Sequence, residues 1–225
     1  MDKHALEEAL RIKERFGGIV TAISMAPLTA TDSLREAIAI GADDAVLLSD
    51  RSFVGADTLA TSYVLAAAIK KLGKFDLIFC GNQSLDSGTG QVVPEIAEFL
   101  GVPHVTYARK IALLDGGIAR VERALEHGYM LIEARMPLVL SVVKEINVPR
   151  HVSLMRISGA MQAEVRVWTS GDLDVDGGRI GLLGSPTQVA DLFLPAIKRR
   201  GEMLSGAPDR VSKLLLQRLR ELAVI

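Results

Sequence analysis

The sequence predicts an α/β fold: a mostly parallel sheet with helices on both faces, added antiparallel strands and a C-terminal arm. Three observations predict it. Helical patterns alternate with short apolar runs through the first half of the chain, as βαβ units require. Four strand-like runs then follow one another between His104 and Val143. Finally, residues 170–189 are rich in Gly, Asp, Ser and Pro, the composition of an extended, turn-laden segment. The spacing divides the chain into an α/β domain over residues 1–168 and an arm with a closing helix over 169–225.

Each element has a local reason. Ala5, Ala9, Ile12 and Phe16, with Leu6 and Leu10 beside them, make one apolar stripe at helical spacing, ended by Gly17 and Gly18. Glu7, Glu8, Arg11, Lys13, Glu14 and Arg15 are assigned to the solvated face of that helix. Residues 19–24 (IVTAIS) read as a buried strand. Ser33 followed by Glu36 is a capping-box pattern opening a helix that Gly41 stops. Residues 45–48 (AVLL) form a second strand. Residues 57–72 are apolar on nearly every side, as in a helix packed tightly on a sheet. Residues 75–80 (FDLIFC) are a third strand running into Gly81, and a helix follows with Val92, Ile96, Phe99 and Leu100 on one side.

Of the runs VTYARKIAL, GIARVERAL, YMLIEA and PLVLSVV, three or four read as antiparallel strands added to the sheet, with Asp115, Gly116 and Gly117 as a hairpin turn. A helix is expected over residues 152–165. The last helix opens near Pro208 and Asp209, with Val211, Leu214, Leu215 and Leu222 on one face.

Composition excludes several functions. The 225 residues carry 26 basic and 27 acidic side chains, a balance that points to neither nucleic acid nor an anionic membrane. No apolar run approaches the roughly 20 residues of a membrane span. The start, MDKHALEEAL, has no charged segment followed by an apolar stretch, so no secretory signal is expected. The sole cysteine, Cys80, precludes an internal disulfide and fits a reducing, cytoplasmic compartment. His4, His104, His127 and His151 lack ligand spacing, and no paired carboxylates or Ser/His/Asp set stands out. A carrier or binding role is favoured over a hydrolase, and the chain is not read as an enzyme in its own right.

The strongest local pattern is CGNQSLDSGTGQV, residues 80–92, between an apolar strand and a helix. In open parallel sheets, ligands bind beyond the carboxyl ends of strands, and helix N-termini offer unpaired N–H groups to phosphates. Gly81, Gly88 and Gly90 allow close backbone approach, Thr89 is a cap or phosphate partner, and Gln83, Asp86 and Gln91 offer polar contacts. A plain loop with a capped helix explains the same residues. The stretch is neither a Walker loop nor the Rossmann glycine fingerprint. Pro94 sits awkwardly for a helix beginning at Thr89. A second strand-to-helix loop, residues 49–58, places Asp57 or Thr58 as a helix cap. Met25 follows the first strand at the same sheet edge, where packing is the usual role of a methionine.

In combination and in order, HALEEALRIKE, TAISMAP, REAIAIGADDAVLLSD, GADTLATSYVLAAAI, DLIFCGNQSLDSGTGQVVPEIAEFLGVPHVTYA and RIGLLGSPTQV resemble electron transfer flavoprotein beta subunits over nearly the whole chain. The likeness is greatest to the bacterial and archaeal branch that includes nitrogen-fixation-associated and electron-bifurcating members. The resemblance implies a Rossmann-like fold of the adenine-nucleotide hydrolase type. It implies pairing with an alpha subunit that carries FAD, and a beta-subunit site holding AMP or, in the bifurcating branch, a second FAD. By position that site comprises Met25, Asp57, Thr58, Gly81, Gln83, Asp86, Ser87, Gly88, Thr89, Gly90, Gln91 and Val92. The short SLDSGTGQV lacks the insertion of the AMP-binding branch, so a second FAD is the expected occupant. RIGLLGSPTQV matches the region by which such proteins meet an acyl-CoA or other dehydrogenase. Leu182 and Leu183 are then either an exposed apolar anchor or a buried pair pinning the arm.

Three departures from the family pattern carry expectations. Relatives place a strand and loop ahead of the helix that opens this chain, so a sheet lacking its central first strand, with exposed edges, is expected here. The loop reads Asp86, Ser87, Gly88, Thr89 where relatives carry a further acidic residue. In VERALEHGYMLIEARMP, His127 and Met130 stand at positions usually acidic or amide-bearing. A nucleotide-sensing or interaction module on the same fold is the alternative function. An adenylating enzyme would require a pyrophosphate-type glycine-rich loop, and none is found.

Overall fold

The computed structural model describes residues 1–85, 87–191 and 201–224. Asp86, one of the candidate site residues, lies outside them. By internal contacts the chain forms two units, residues 1–188 and 189–225.

The first unit alternates as the pattern requires: α1 (Asp2–Phe16), β1 (Thr21–Met25), α2 (Thr31–Ile40), β2 (Asp44–Leu48), α3 (Thr58–Leu72), β3 (Leu77–Gly81) and α4 (Val92–Leu100). Then come β4 (His104–Leu114), β5 (Ile118–Ala124), β6 (Tyr129–Arg135), β7 (Leu138–Val142), α5 (Leu154–Met161) and β8 (Arg166–Trp168). Two sheets result, ordered β1-β2-β8 and β3-β7-β4-β5-β6. The first is wholly parallel; in the second, β3-β7 and β4-β7 are parallel while β4-β5 and β5-β6 are antiparallel.

Strand alternation explains why helices cover both faces. Val46 and Leu48 of β2 pack on Val64 and Ala68 of α3, whereas Ala45 and Leu47 pack on Leu34 of α2. In the second sheet, Leu138, Leu140 and Val142 of β7 share a cluster with Ala5 of α1, and Val139 faces Val93, Ile96 and Ala97 of α4. Helix α3 serves both sheets, because its Ile69 packs with Val139 while Val64 faces β2.

Several sequence expectations need correction. The run 138–142 is not part of the antiparallel addition: it lies between β3 and β4, parallel to both and buried at every residue. Its unbroken apolar character is that of a strand covered on two faces. Residues 19–24 do not make a buried strand: Ile19 is 81% exposed, and all five residues of β1 are only half-buried. The expected helix over 152–165 covers only Leu154–Met161, and the chain then adds β8 beside β2, a strand absent from the sequence reading. Helix α2 starts at Thr31 after a 3-10 turn, with no side-chain cap, so Ser33 lies inside its first turn. The first helix buries a charge on its supposed solvated face. Glu7 is 3% exposed, held by Arg150 Nε at 2.8 Å and Arg11 Nε at 2.8 Å.

No described strand pairs with the second edge of β1 or of β3. Ala26 N–H donates to Leu48 and Asp43 N–H donates to Val20, so the even-numbered residues of β1 face β2. The backbone groups of Thr21, Ile23 and Met25 therefore point the other way. By the same alternation Leu138 N–H bonds Asp76, leaving Leu77, Phe79 and Gly81 turned from β7. The Gly81 N–H is met by the Asp2 carboxylate at 3.2 Å.

In the second unit, Pro208–Glu221 forms α6, with Pro208 at the helix start, where its missing N–H costs nothing. Arg218 pairs with Glu202 and Glu221, at 2.9 and 2.6 Å. No residue of α6 is buried; Val211 and Leu214 are half-buried, while Leu215 is exposed, as is Leu222 just past the helix end.

Candidate functional site

The loop after β3 begins where the strand runs out of partners and ends where α4 starts. Gly88 and Gly90 hold φ of 62° and 66°. At Gly90 an added Cβ would sit 3.3 Å from the Asn82 carbonyl, so both conformation and space favour glycine there. Ser84 and Ser87 hydroxyls lie 3.0 Å apart, while Gln83, Ser84, Leu85, Ser87, Gly88, Thr89 and Gln91 are exposed.

Helix α4 starts at Val92, with Gln91 as its N-cap, so Thr89 does not cap it. The late start also resolves Pro94. It is the third helical residue, where an N–H would have no intrahelical acceptor. The first intrahelical bond runs from Glu95 N–H to Gln91, leaving Val92 and Val93 N–H groups as the free donors of the first turn. Such donors, with the helix dipole, suit an anion. In the same strand-to-helix segment, Asn82 Oδ1 is a buried acceptor with no hydrogen-bond partner. A phosphate-bearing group with N–H donors of its own matches this set. At Gly81 the space is taken: an added Cβ would lie 2.5 Å from Asp2 Oδ1 and 2.9 Å from Met1 Cβ. A ligand reaching the Gly81 N–H must displace that carboxylate.

Tyr107, which the sequence reading did not single out, borders the loop. Its hydroxyl lies 3.7 Å from where a Gly90 Cβ would be. It holds φ of 57°, rare for a non-glycine residue, where β4 shifts register between its partners. Its N–H is satisfied by Ser141 Oγ at 2.9 Å. Only the three-dimensional junction of β4 with β7 and β5 creates that conformation, and no local pattern marks it.

The loop and the start of α3 are joined by side chains. Thr58 Oγ1 lies 3.3 Å from Gln91 Oε1 and 3.1 Å from Glu95 Oε1, and Ser62 Oγ donates to Glu95 Oε2 at 2.9 Å. Glu95 and Ser62 were not among the expected site residues; four-residue spacing from Thr58 to Ser62 was the available clue. Asp57 is the α3 N-cap, its Oδ1 accepting from Ala60 N–H at 3.0 Å. Its Oδ2 accepts from Thr187 N–H at 3.0 Å, and its own N–H donates to Ser185 Oγ at 2.8 Å. Met25 turns into the cluster formed by β2, α3, Leu173 and Ile180.

The arm is built onto the other strand-to-helix loop, residues 49–58. Asp50 accepts from Ser52 N–H at 2.9 Å and from Ser170 N–H and Oγ at 2.9 and 2.7 Å; these bonds hold its carboxyl far below the usual range. Leu173 and Ile180 are buried against α3 and β2. Leu182 N–H donates to Val54 at 3.1 Å, and Gly181, at φ 55°, packs so tightly on Ser52 that a side chain has no room. With its backbone fixed, the arm presents Leu182 and Leu183 at 55% and 86% exposure. Leu183 borders a cleft of about 390 Å³ shared with Leu59, Tyr63, Phe99 and Arg179. The Arg179 guanidinium stacks on Tyr63 at 4.2 Å.

Cys80 shows no sign of reactive chemistry. Its side chain packs with the Ile69, Val93 and Ile96 cluster, and burial, helped by the Asp2 carboxylate, pushes the thiol up to about 12. Among the described residues, no three His, Cys, Asp or Glu side chains come together as a metal site would require. No described helix is long and apolar enough to cross a membrane.

A parallel α/β core, a strand-to-helix loop with free N–H donors and an arm with two exposed leucines define an open-sheet α/β protein whose loop suits an anion. The electron transfer flavoprotein domain model matches residues 1–173. The chain is 48% identical over 220 residues to the electron transfer flavoprotein subunit beta of Clostridium acetobutylicum, covering 98% of this chain and 84% of that one. It is 48% identical over 225 residues to the corresponding subunit of Thermoanaerobacterium thermosaccharolyticum, covering all of this chain and 86% of that one. It is 43% identical over 226 residues to the caffeyl-CoA reductase-Etf complex subunit CarD of Acetobacterium woodii, again covering all of this chain and 86% of the relative. The chain belongs to the electron transfer flavoprotein family.

Proposed function

We propose that the chain acts as an electron transfer flavoprotein beta subunit. It pairs with an alpha subunit and holds FAD, or AMP in its place, at the loop 81–92. Electrons then pass between a dehydrogenase or NADH and an acceptor. The observation that carries this reading is the first turn of α4. Its Val92 and Val93 donors close the same strand-to-helix segment that opens with the unpartnered Asn82 Oδ1, in a chain that matches the family over residues 1–173. When bound, a flavin supplies the redox chemistry; the protein supplies binding, orientation and electrostatics. Val92 and Val93 N–H groups would hold phosphate oxygens, Asn82 would accept from a ligand N–H, and Gly88 and Gly90 would let backbone lie close. Gln83, Asp86, Ser87, Thr89 and Gln91 would line the rim, and Met25, Asp57, Thr58 and Gly81 would frame the site.

The short loop favours FAD over AMP. Leu182 and Leu183 would dock a dehydrogenase, acyl-CoA or other, since exposed apolar side chains on a fixed backbone suit insertion into a partner pocket. The chain would perform no bond chemistry of its own. The sensor alternative uses the same loop and has no observation of its own.

Co-expression with an alpha subunit followed by absorbance and calorimetry tests the reading. The expected result is a yellow heterodimer whose beta site takes FAD or AMP. A colourless complex in which neither ligand gives a binding heat would overturn it.

A further inference from the structure

We propose that the nucleotide loop and the docking arm are thermodynamically coupled through the first turn of α3, so that ligand at the loop changes how firmly residues 179–187 are held. The proposal rests on the nucleotide reading of the loop 81–92. Two adjacent residues carry the connection. Asp57 faces the arm: its N–H bonds Ser185, its Oδ2 takes the Thr187 N–H, and its Oδ1 caps α3 through Ala60. Thr58 faces the loop, with Gln91 and Glu95 both within reach of its hydroxyl.

A hydroxyl has one proton, so Thr58 donates to Gln91 or to Glu95 but not fully to both. Glu95 is already held by Ser62, whose hydroxyl also lies 3.3 Å from the Val92 carbonyl. An anion arriving at Val92 and Val93 adds negative charge beside the Glu95 carboxylate and competes for the Thr58 hydroxyl. The first turn of α3 therefore meets a different set of acceptors when the loop is occupied.

On the other side, little slack exists to absorb a shift. Ser185 is 5% exposed; its hydroxyl donates to Gly181 at 2.7 Å and lies 3.2 Å from the Gly55 carbonyl. Leu182 is bonded to Val54, and Gly181 sits against Ser52 with no room for a side chain. A tightly packed junction of this kind passes a small displacement on instead of dissipating it. Coupling of binding free energies is reciprocal, so a change in how firmly the arm is held must change the nucleotide affinity by the same factor.

The test uses the full chain, with AMP and FAD as separate probes. Calorimetry gives each affinity, and hydrogen–deuterium exchange of residues 179–188 is followed with and without saturating ligand. Bound ligand is expected to change arm exchange about fivefold in the unaltered protein. Thr58→Val, followed at ligand concentrations raised until it is saturated, should lose that response, whereas Thr58→Ser, which keeps the hydroxyl, should retain it. Ser185→Ala, remote from the loop in sequence and bonding, should shift the ligand affinity by a similar factor, downward if ligand slows arm exchange and upward if ligand speeds it. An arm response equal in Thr58→Val and the unaltered protein, or lost equally in Thr58→Ser, overturns the hydroxyl as the link. Bound ligand with no arm response overturns the coupling while leaving the nucleotide site intact. Absence of binding to either probe overturns the nucleotide reading and the coupling with it.

Discussion

Glu7 shows how one side chain sets the acid stability of an element. Burial alone would raise its carboxyl, but hydrogen bonds from Arg150 and Arg11 outweigh that and hold it below the ordinary value of 4.5. A depressed folded value means that the stabilisation is complete above the unfolded value and declines as pH falls through it toward the folded one. Asp50, tied to Ser52 and Ser170, shifts in the same direction and adds to the same loss. Urea midpoints should thus be flat from pH 7 to roughly 5 and drop below that. Glu7→Gln should cost about 2–3 kcal/mol at pH 7, since it weakens charge-assisted bonds to Arg150 in a buried place, and should flatten the acid limb. A Glu7→Gln protein as acid-sensitive as the parent would contradict this account. Cys80 makes the opposite prediction about reactivity. With its thiol raised to about 12, the folded protein should leave Ellman's reagent unreacted at pH 8 over minutes, and denaturant should release one thiol.

At the level of elements, what a sequence shows depends on whether the cause is local. Helix α3 was readable because Asp57, the apolar body and the terminal lysines all lie in one stretch. Loop 81–92 was recognisable from its glycines and position, yet the bonds that tie it to α3 and α3 to the arm, Thr58 to Gln91 and Asp57 to Thr187, span 33 and 130 residues. No window of sequence contains them. The direction of β7 was hidden for the same reason: LVLSV is as apolar as an antiparallel core strand, and only pairing with β3 and β4 settles it. Glu7 was misassigned because its partner Arg150 is 143 residues away. The double duty of Asp57 has a measurable result. Asp57→Ala removes the α3 cap and the Thr187 tether together, and should lower stability by about 1–2 kcal/mol in denaturant unfolding. Asp57→Asn, which keeps one oxygen for the cap but sets an N–H2 group where the other accepted from Thr187, should recover only the capping part of the loss. Equal losses for both would mean that charge, not the hydrogen-bond acceptor, is what α3 requires.

Across the first unit, the main irregularity is a sheet in two parts joined by α3 instead of by strand pairing. Ile23 of β1 belongs both to the cluster under β2 and to the one beneath β3, so the two halves share side-chain packing. Their backbones do not share hydrogen bonds among the described residues. Strands β2 and β7, paired on both sides, are buried almost throughout, while every residue of β1 and β3 is half-buried. Apolar contact can hold two sheet halves together, but it leaves backbone donors at the seam to solvent. Amide exchange reads that difference residue by residue. Within β1, the Thr21, Ile23 and Met25 N–H groups point away from β2, and should exchange at least tenfold faster than those of Ala22 and Ser24. In β3, Leu77 and Phe79 should likewise outpace Ile78 and Cys80. Gly81, although at the strand end, should be slower than Phe79 because the Asp2 carboxylate accepts its N–H. Asp2→Ala, which removes that acceptor, should bring it up toward its neighbours. Uniform protection along β1 and β3 in the isolated chain would mean that both open edges are covered in solution, and a strand-pairing partner at the seam would then have to be identified.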